Sequence, residues 1–88
     1  MKIVYSKSIV KDVRKIKNQQ LIESIEAVIK DIKQANSLSE LSQVAKMKGH
    51  PTAYRIRIGE YRMGLYCDNE NVVLARFVKR NDIYKVFP

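Results

Sequence analysis

The ten residues Tyr54-Arg55-Ile56-Arg57-Ile58-Gly59-Glu60-Tyr61-Arg62-Met63 restrict the fold more than any other stretch of the chain. Up to Gly59, large apolar and cationic residues alternate, which is the period-2 pattern of a strand with one buried and one open face. Gly59-Glu60 then supplies a two-residue turn. Glycine in first place suits a type II′ hairpin, because it takes positive φ without a Cβ clash, and a loop of that length fixes the register. The expected partners are Ile58 with Tyr61, Arg57 with Arg62, Ile56 with Met63 and Arg55 with Gly64.

This register sets two guanidinium groups opposite each other on the face that also carries Arg55. Like charges in that position destabilise a sheet by some tenths of a kcal/mol. An anion relieves the repulsion, and arginine's planar fork of donors matches phosphate, so the face reads as a phosphate site. The competing reading is a solvated strand face neutralised by carboxylates from elsewhere. Within the stretch only Glu60 is acidic, and it sits in the turn.

The chain of 88 residues carries a formal charge of +8, which favours polyanions, either nucleic acid or a strongly acidic protein. Its length suits one domain, residues 1–88, burying roughly 60–65% of its unfolded surface. The single cysteine, Cys67, excludes a disulfide framework and suits a reducing cytoplasm. Neither a signal peptide nor a membrane span is expected, because no apolar run approaches about 18 residues. Five of the six arginines lie between Arg55 and Arg80, whereas lysines dominate the first half. Binding chemistry is therefore expected in the second half.

In chain order, Lys2 to Tyr5 reads as a short strand. Ser6 can cap a helix from about Lys7 to Lys17 with Ile9, Val13 and Ile16 on one side. Asn18 can cap a second helix, Gln19 to Gln34, with an apolar face through Leu21, Ile25, Val28 and Ile32. Together these predict a helical hairpin on a sheet. Ser37-Leu38-Ser39-Glu40 has capping-box spacing and predicts a short helical turn before a linker through Leu41, Val44 and Met47. Lys48-Gly49-His50-Pro51 breaks any helix, and His50, the sole histidine, is expected in a solvated loop. After the hairpin, Asp68 to Asn71 reads as a turn and Val72 to Val78 as a further strand. Arg76 either joins the arginine face or covers apolar surface with its stem. A last helical turn beginning at Asn81 or Asp82 puts Tyr84 one turn after Arg80.

Met47-Lys48-Gly49, followed by YRIRIGEYRMGLYCDNENVVLARFVKRNDIY, resembles the RelE branch of the RelE/ParE toxin superfamily of type II toxin–antitoxin pairs. The likeness is strongest over residues 47 to 84; residues 1 to 46 agree only in strand-helix-helix order. It implies an α+β, microbial-ribonuclease-like fold of order β-α-α-β-β-β-α, with a small antiparallel sheet packed on the helical hairpin.

The resemblance further implies an endoribonuclease that enters the ribosomal A site and cuts translated mRNA, using no metal and no cofactor, and that is silenced by a cognate antitoxin. By position in the motif, Arg62 would hold the scissile phosphate, Arg80 would stabilise the transition state or leaving group, and Tyr84 would stack on or orient the substrate. Arg55 and Arg57 stand where some relatives carry lysines. Because arginine does not serve as a base, the two are assigned to mRNA backbone and ribosomal RNA, with Lys48, Arg76 and Lys79 as further phosphate contacts. Lys79 stands where relatives often have histidine. A ParE-like gyrase poison, against which the retained Arg62, Arg80 and Tyr84 speak, and a non-catalytic RNA- or protein-binding domain of the same fold are the alternatives.

Overall fold

A computed structural model describes residues 1–69 and 71–88. Glu70, the third residue of the expected Asp68–Asn71 turn, lies outside the described residues. The elements are β1 (Lys2–Tyr5), α1 (Lys7–Arg14), α2 (Gln19–Gln34), a 3-10 turn (Leu38–Glu40), β2 (Val44–Lys46), β3 (Ala53–Ile58), β4 (Tyr61–Asp68), β5 (Asn71–Lys79) and α3 (Ile83–Val86). The α+β class and the order of the expected elements hold.

The helices start where side chains supply the missing acceptors. Ser6 Oγ accepts from the Ile9 amide at 3.0 Å and Asn18 Oδ1 from the Leu21 amide at 3.0 Å. In the 3-10 turn the Glu40 carboxylate reaches back to the Asn36 and Ser37 amides. The first helix is shorter than its apolar spacing suggested, ending at Arg14 rather than near Lys17.

Strand order is β1-β5-β4-β3-β2. All four hairpin pairs expected between β3 and β4 are present, and Gly59 has φ +60 as the turn requires. The sheet is mixed rather than purely antiparallel, because β1 runs parallel to β5, pairing Lys2 with Asn71 through Tyr5 with Leu74. The linker also contains a strand: Val44–Lys46 pairs antiparallel with β3. Its neighbour Gln43 has φ +62 and its carbonyl accepts from the Arg57 amide at 3.0 Å.

Between Gly64 and Leu65 the β4/β5 register slips by one, leaving Ala75 with no residue opposite. This bulge changes the phase of β5, so that Val72, Leu74 and Phe77 all face the main core. Groups from α1 and its cap satisfy the disturbed backbone. Ser6 donates from its amide to Leu74 O and from Oγ to Ala75 O, and the Asp12 carboxylate accepts from the Phe77 amide at 2.9 Å.

Two apolar clusters lie on opposite sides of the sheet. The larger joins Ile9, Ile25 and Ile32 of the helices to Ile56, Ile58, Met63, Leu65, Leu74 and Phe77. The smaller consists of Met47, Ala53, Ile83 and Phe87, flanked by Tyr66, Ala75 and Val78. The first explains why β3 buries its isoleucines and turns its arginines to the other face; the second anchors α3 on that face.

Candidate functional site

Alternation along β3 places Arg55 and Arg57 on the face opposite the helices, and the β3/β4 register adds Arg62 across from Arg57. Arg62 is half-buried and its Nη1 donates to Gly59 O at 3.0 Å and Tyr61 O at 2.9 Å, so the hairpin's own carbonyls hold it. Arg57 is exposed. Arg80, also exposed, follows β5 directly, and its amide bonds Glu60 O at 2.9 Å, which ties it to the hairpin turn. Lys79 pairs with Tyr61 at the end of β5.

The helix α3 carries Tyr84 over this face. Arg55 Cζ lies 5.6 Å from the Tyr84 ring centroid, within cation–π range, and Arg55 Nη1 donates to Met47 Sδ at 3.8 Å. These contacts leave most of the guanidinium's donors free for an incoming acceptor. Tyr84 is 64% exposed, so its ring remains open to stacking. Beside the pair is an open groove of about 730 Å³, whose lining includes Lys46, Lys48, His50, Arg55 and Tyr84 and, among the described residues, no carboxylate.

Among the described residues the only ion pairs are Arg76–Asp12 and Lys85–Asp82. Arg55, Arg57, Arg62 and Arg80 therefore have no carboxylate within ion-pair distance among the described residues; Arg57 and Arg80 are exposed, and Arg55 and Arg62 are half-buried. Arg76, expected as a further phosphate contact, differs from these four in having a carboxylate partner inside the molecule. Its Nε and Nη2 donate to the Asp12 carboxylate at 2.8 and 3.2 Å, and this hydrogen bonding raises its pKa above arginine's ordinary value. Asp12 is 7% exposed and already occupied by the Phe77 amide, so Arg76 belongs to the bulge.

The structure adds one residue that sequence reading set aside. His50, expected in solvent, is half-buried with its ring 5.4 Å from that of Tyr66, and its buried Nδ1 has no hydrogen-bond partner. No spacing signal could have found it, since the ring it approaches, Tyr66, comes from a distant strand. Among the described residues no three His, Cys, Asp or Glu side chains converge to hold a metal ion, and no helix is long and apolar enough to cross a membrane.

The chain is 33% identical over 89 residues to Toxin RelE3 of Methanocaldococcus jannaschii, with both chains covered in full. It belongs to the RelE toxin family. The same relationship holds in three dimensions: a chain of the RelB–RelE antitoxin–toxin complex from Methanococcus jannaschii superposes with a TM-score of 0.81 at 29% identity, covering 97% of this chain and 99% of that one. The archaeal RelE–RelB complex of Pyrococcus horikoshii shares the fold at 16% identity, with a TM-score of 0.74 over 93% of this chain and 97% of that one. No protein-family model matches the chain. Within the RelE family frame, the arginine hairpin and the α3 tyrosine that the motif singled out lie on one face of one sheet.

Proposed function

We propose that this RelE-family toxin is a ribosome-dependent endoribonuclease that cleaves translated mRNA in the A site without a metal ion, and that a cognate antitoxin silences it. The observation that carries the reading is the open groove in which Arg55 approaches Tyr84 with no carboxylate in the lining among the described residues. A surface of this kind repels itself and is stabilised by a polyanion.

In the proposed reaction the mRNA's 2′-oxygen attacks the adjacent phosphorus. The O2′–P bond forms, the P–O5′ bond breaks, the 2′-hydroxyl proton passes to Tyr84 or water, and the 5′-oxygen leaves with a proton taken from solvent. Charge accumulates on the non-bridging oxygens of the pentavalent phosphorus, so fixed guanidinium donors lower the barrier there more than in the ground state. Arg62, already oriented by the turn carbonyls, is assigned to the scissile phosphate. Arg80 is assigned to the transition state or leaving oxygen. Tyr84 stacks on or orients the substrate, with Arg55 against its ring. Arg57, Lys48 and Lys79 are assigned to flanking phosphates of mRNA or ribosomal RNA. An acidic antitoxin segment would complement the same face.

The test is a programmed ribosome carrying a defined mRNA. Wild type is expected to give A-site cuts, and Arg62→Ala and Arg80→Ala are expected to give none above background. Intact mRNA together with inhibition of gyrase supercoiling would replace this reading with a ParE-like one.

A further inference from the structure

The one-turn helix that carries Tyr84 has little to hold it in place by itself. Four residues are far below the length at which a helix is stable alone. Asp82 at its start makes no side-chain cap, and its backbone bonds are local, from Asp82 to Lys79, Lys85 to Asp82 and Phe87 to Ile83. Its position on the sheet therefore depends on two buried side chains, Ile83 at 0% and Phe87 at 3% exposure.

Phe87 occupies space that a side chain on β4 would normally fill. A Cβ at position 64 would lie 2.6 Å from Phe87 Cδ2, 2.8 Å from Cγ and 3.0 Å from Cε2. Tyr66, two residues further along β4, closes the other side, with ring centroids 5.0 Å apart. Gly64 sits mid-strand without a positive φ, where glycine weakens a sheet and usually marks a close approach. Here the approaching group is the Phe87 ring. Gly64 is also the residue opposite Arg55 in the β3/β4 ladder.

We infer that Gly64 is a positioning residue for Tyr84: its bare backbone seats the Phe87 ring, which fixes α3 and so sets the Tyr84 ring against Arg55. One position on β4 thus determines both halves of the contact, Arg55 by strand register and Tyr84 through the seated ring. A methyl group at 64 collides with the rigid body of an aromatic ring rather than with a flexible tip, so α3 must lift. A displacement of about 1 Å in a group that orients substrate lowers turnover by up to roughly 100-fold.

The inference rests on the proposed role of Tyr84, so its test has one readout that needs no substrate. In NMR spectra of the intact toxin, wild type is expected to show a nuclear Overhauser contact between the Tyr84 ring and the Arg55 side chain, which Gly64→Ala and Phe87→Ala both lose. On programmed ribosomes Gly64→Ala should lower kcat at least tenfold with KM little changed, and adding Tyr84→Ala to it should cost no more than twofold further. The double variant Gly64→Ala/Phe87→Leu, which makes room for the methyl group, should regain the contact and at least threefold of the lost kcat. Phe87→Ala leaves β4 untouched and decides the matter should Gly64→Ala not fold. A Tyr84–Arg55 contact that survives in either single variant overturns the inference. If wild type cuts no mRNA, the proposed function falls, while the NMR comparison still decides whether Gly64 positions Tyr84.

Discussion

Arg55 and Arg76 flank the same residue, Gly64, from the two strands on either side of β4. Sequence chemistry does not distinguish them, yet they have opposite fates. Arg76 lies at the bulge, within reach of α1, and its charge is taken up by Asp12, which also satisfies the Phe77 amide. Arg55 reaches instead into a groove whose nearest partners are a thioether and a phenol ring. The first arrangement is complete within the molecule, and the second has donors left over. An arginine's role in a small basic domain is thus decided by which other elements border its strand, more than by its own strand position.

The largest effect that would sharpen this contrast is expected at Asp12. Asp12→Ala leaves a buried amide and a guanidinium without their acceptor and should destabilise the fold by about 3 kcal/mol. For a domain of this size that lowers the melting temperature by roughly 15 °C. Calorimetry checks the loss, and cleavage per folded molecule should be unchanged. Next in size, Arg62→Ala should reduce A-site cleavage at least tenfold while circular dichroism remains that of wild type; a mutant that unfolds would move Arg62 to the structural side. Arg55→Ala should cost a comparable factor in cleavage but less than about 1 kcal/mol in urea titration, since it loses one cation–π contact and no ion pair. The smallest expected effect is at Arg57, where alanine should weaken ribosome affinity a few-fold and reduce the slope of log affinity against log salt by about one.

Much of the fold was legible because its determinants are local. The alternation before Gly59 and the two-residue turn define the hairpin register without outside help, and Ser6 and Asn18 mark their helices because a cap bonds residues three positions away. What escaped was non-local. The parallel β1/β5 pair joins Lys2 to Asn71, and nothing within Lys2–Tyr5 carries the direction of its partner. Leu41, Val44 and Met47 are spaced as on a helix, but Val44–Lys46 is only three residues long and is recruited as an edge by β3. The same limit governs the site. Arg55, Arg57 and Arg62 could be placed on one face from alternation alone. The fate of Arg76 required the one-residue slip opposite Gly64/Leu65, which turns β5 out of phase and which the strand pattern of Val72 to Val78 does not reveal. His50 was missed for a related reason, since the ring it approaches, Tyr66, belongs to β4.

The proposed function has the arginines without a carboxylate partner among the described residues, rather than Arg76, meet the phosphates of RNA. Arginine Nε–Hε resonances followed by NMR, while a short 2′-O-methylated and therefore uncleavable RNA is added at low salt, test this directly. The account predicts that the signals of Arg55, Arg57, Arg62 and Arg80 shift together with the Tyr84 ring while Arg76 stays where it was. Movement of Arg76 with the others, or silence at Arg55 and Tyr84 as RNA binds elsewhere, would contradict it.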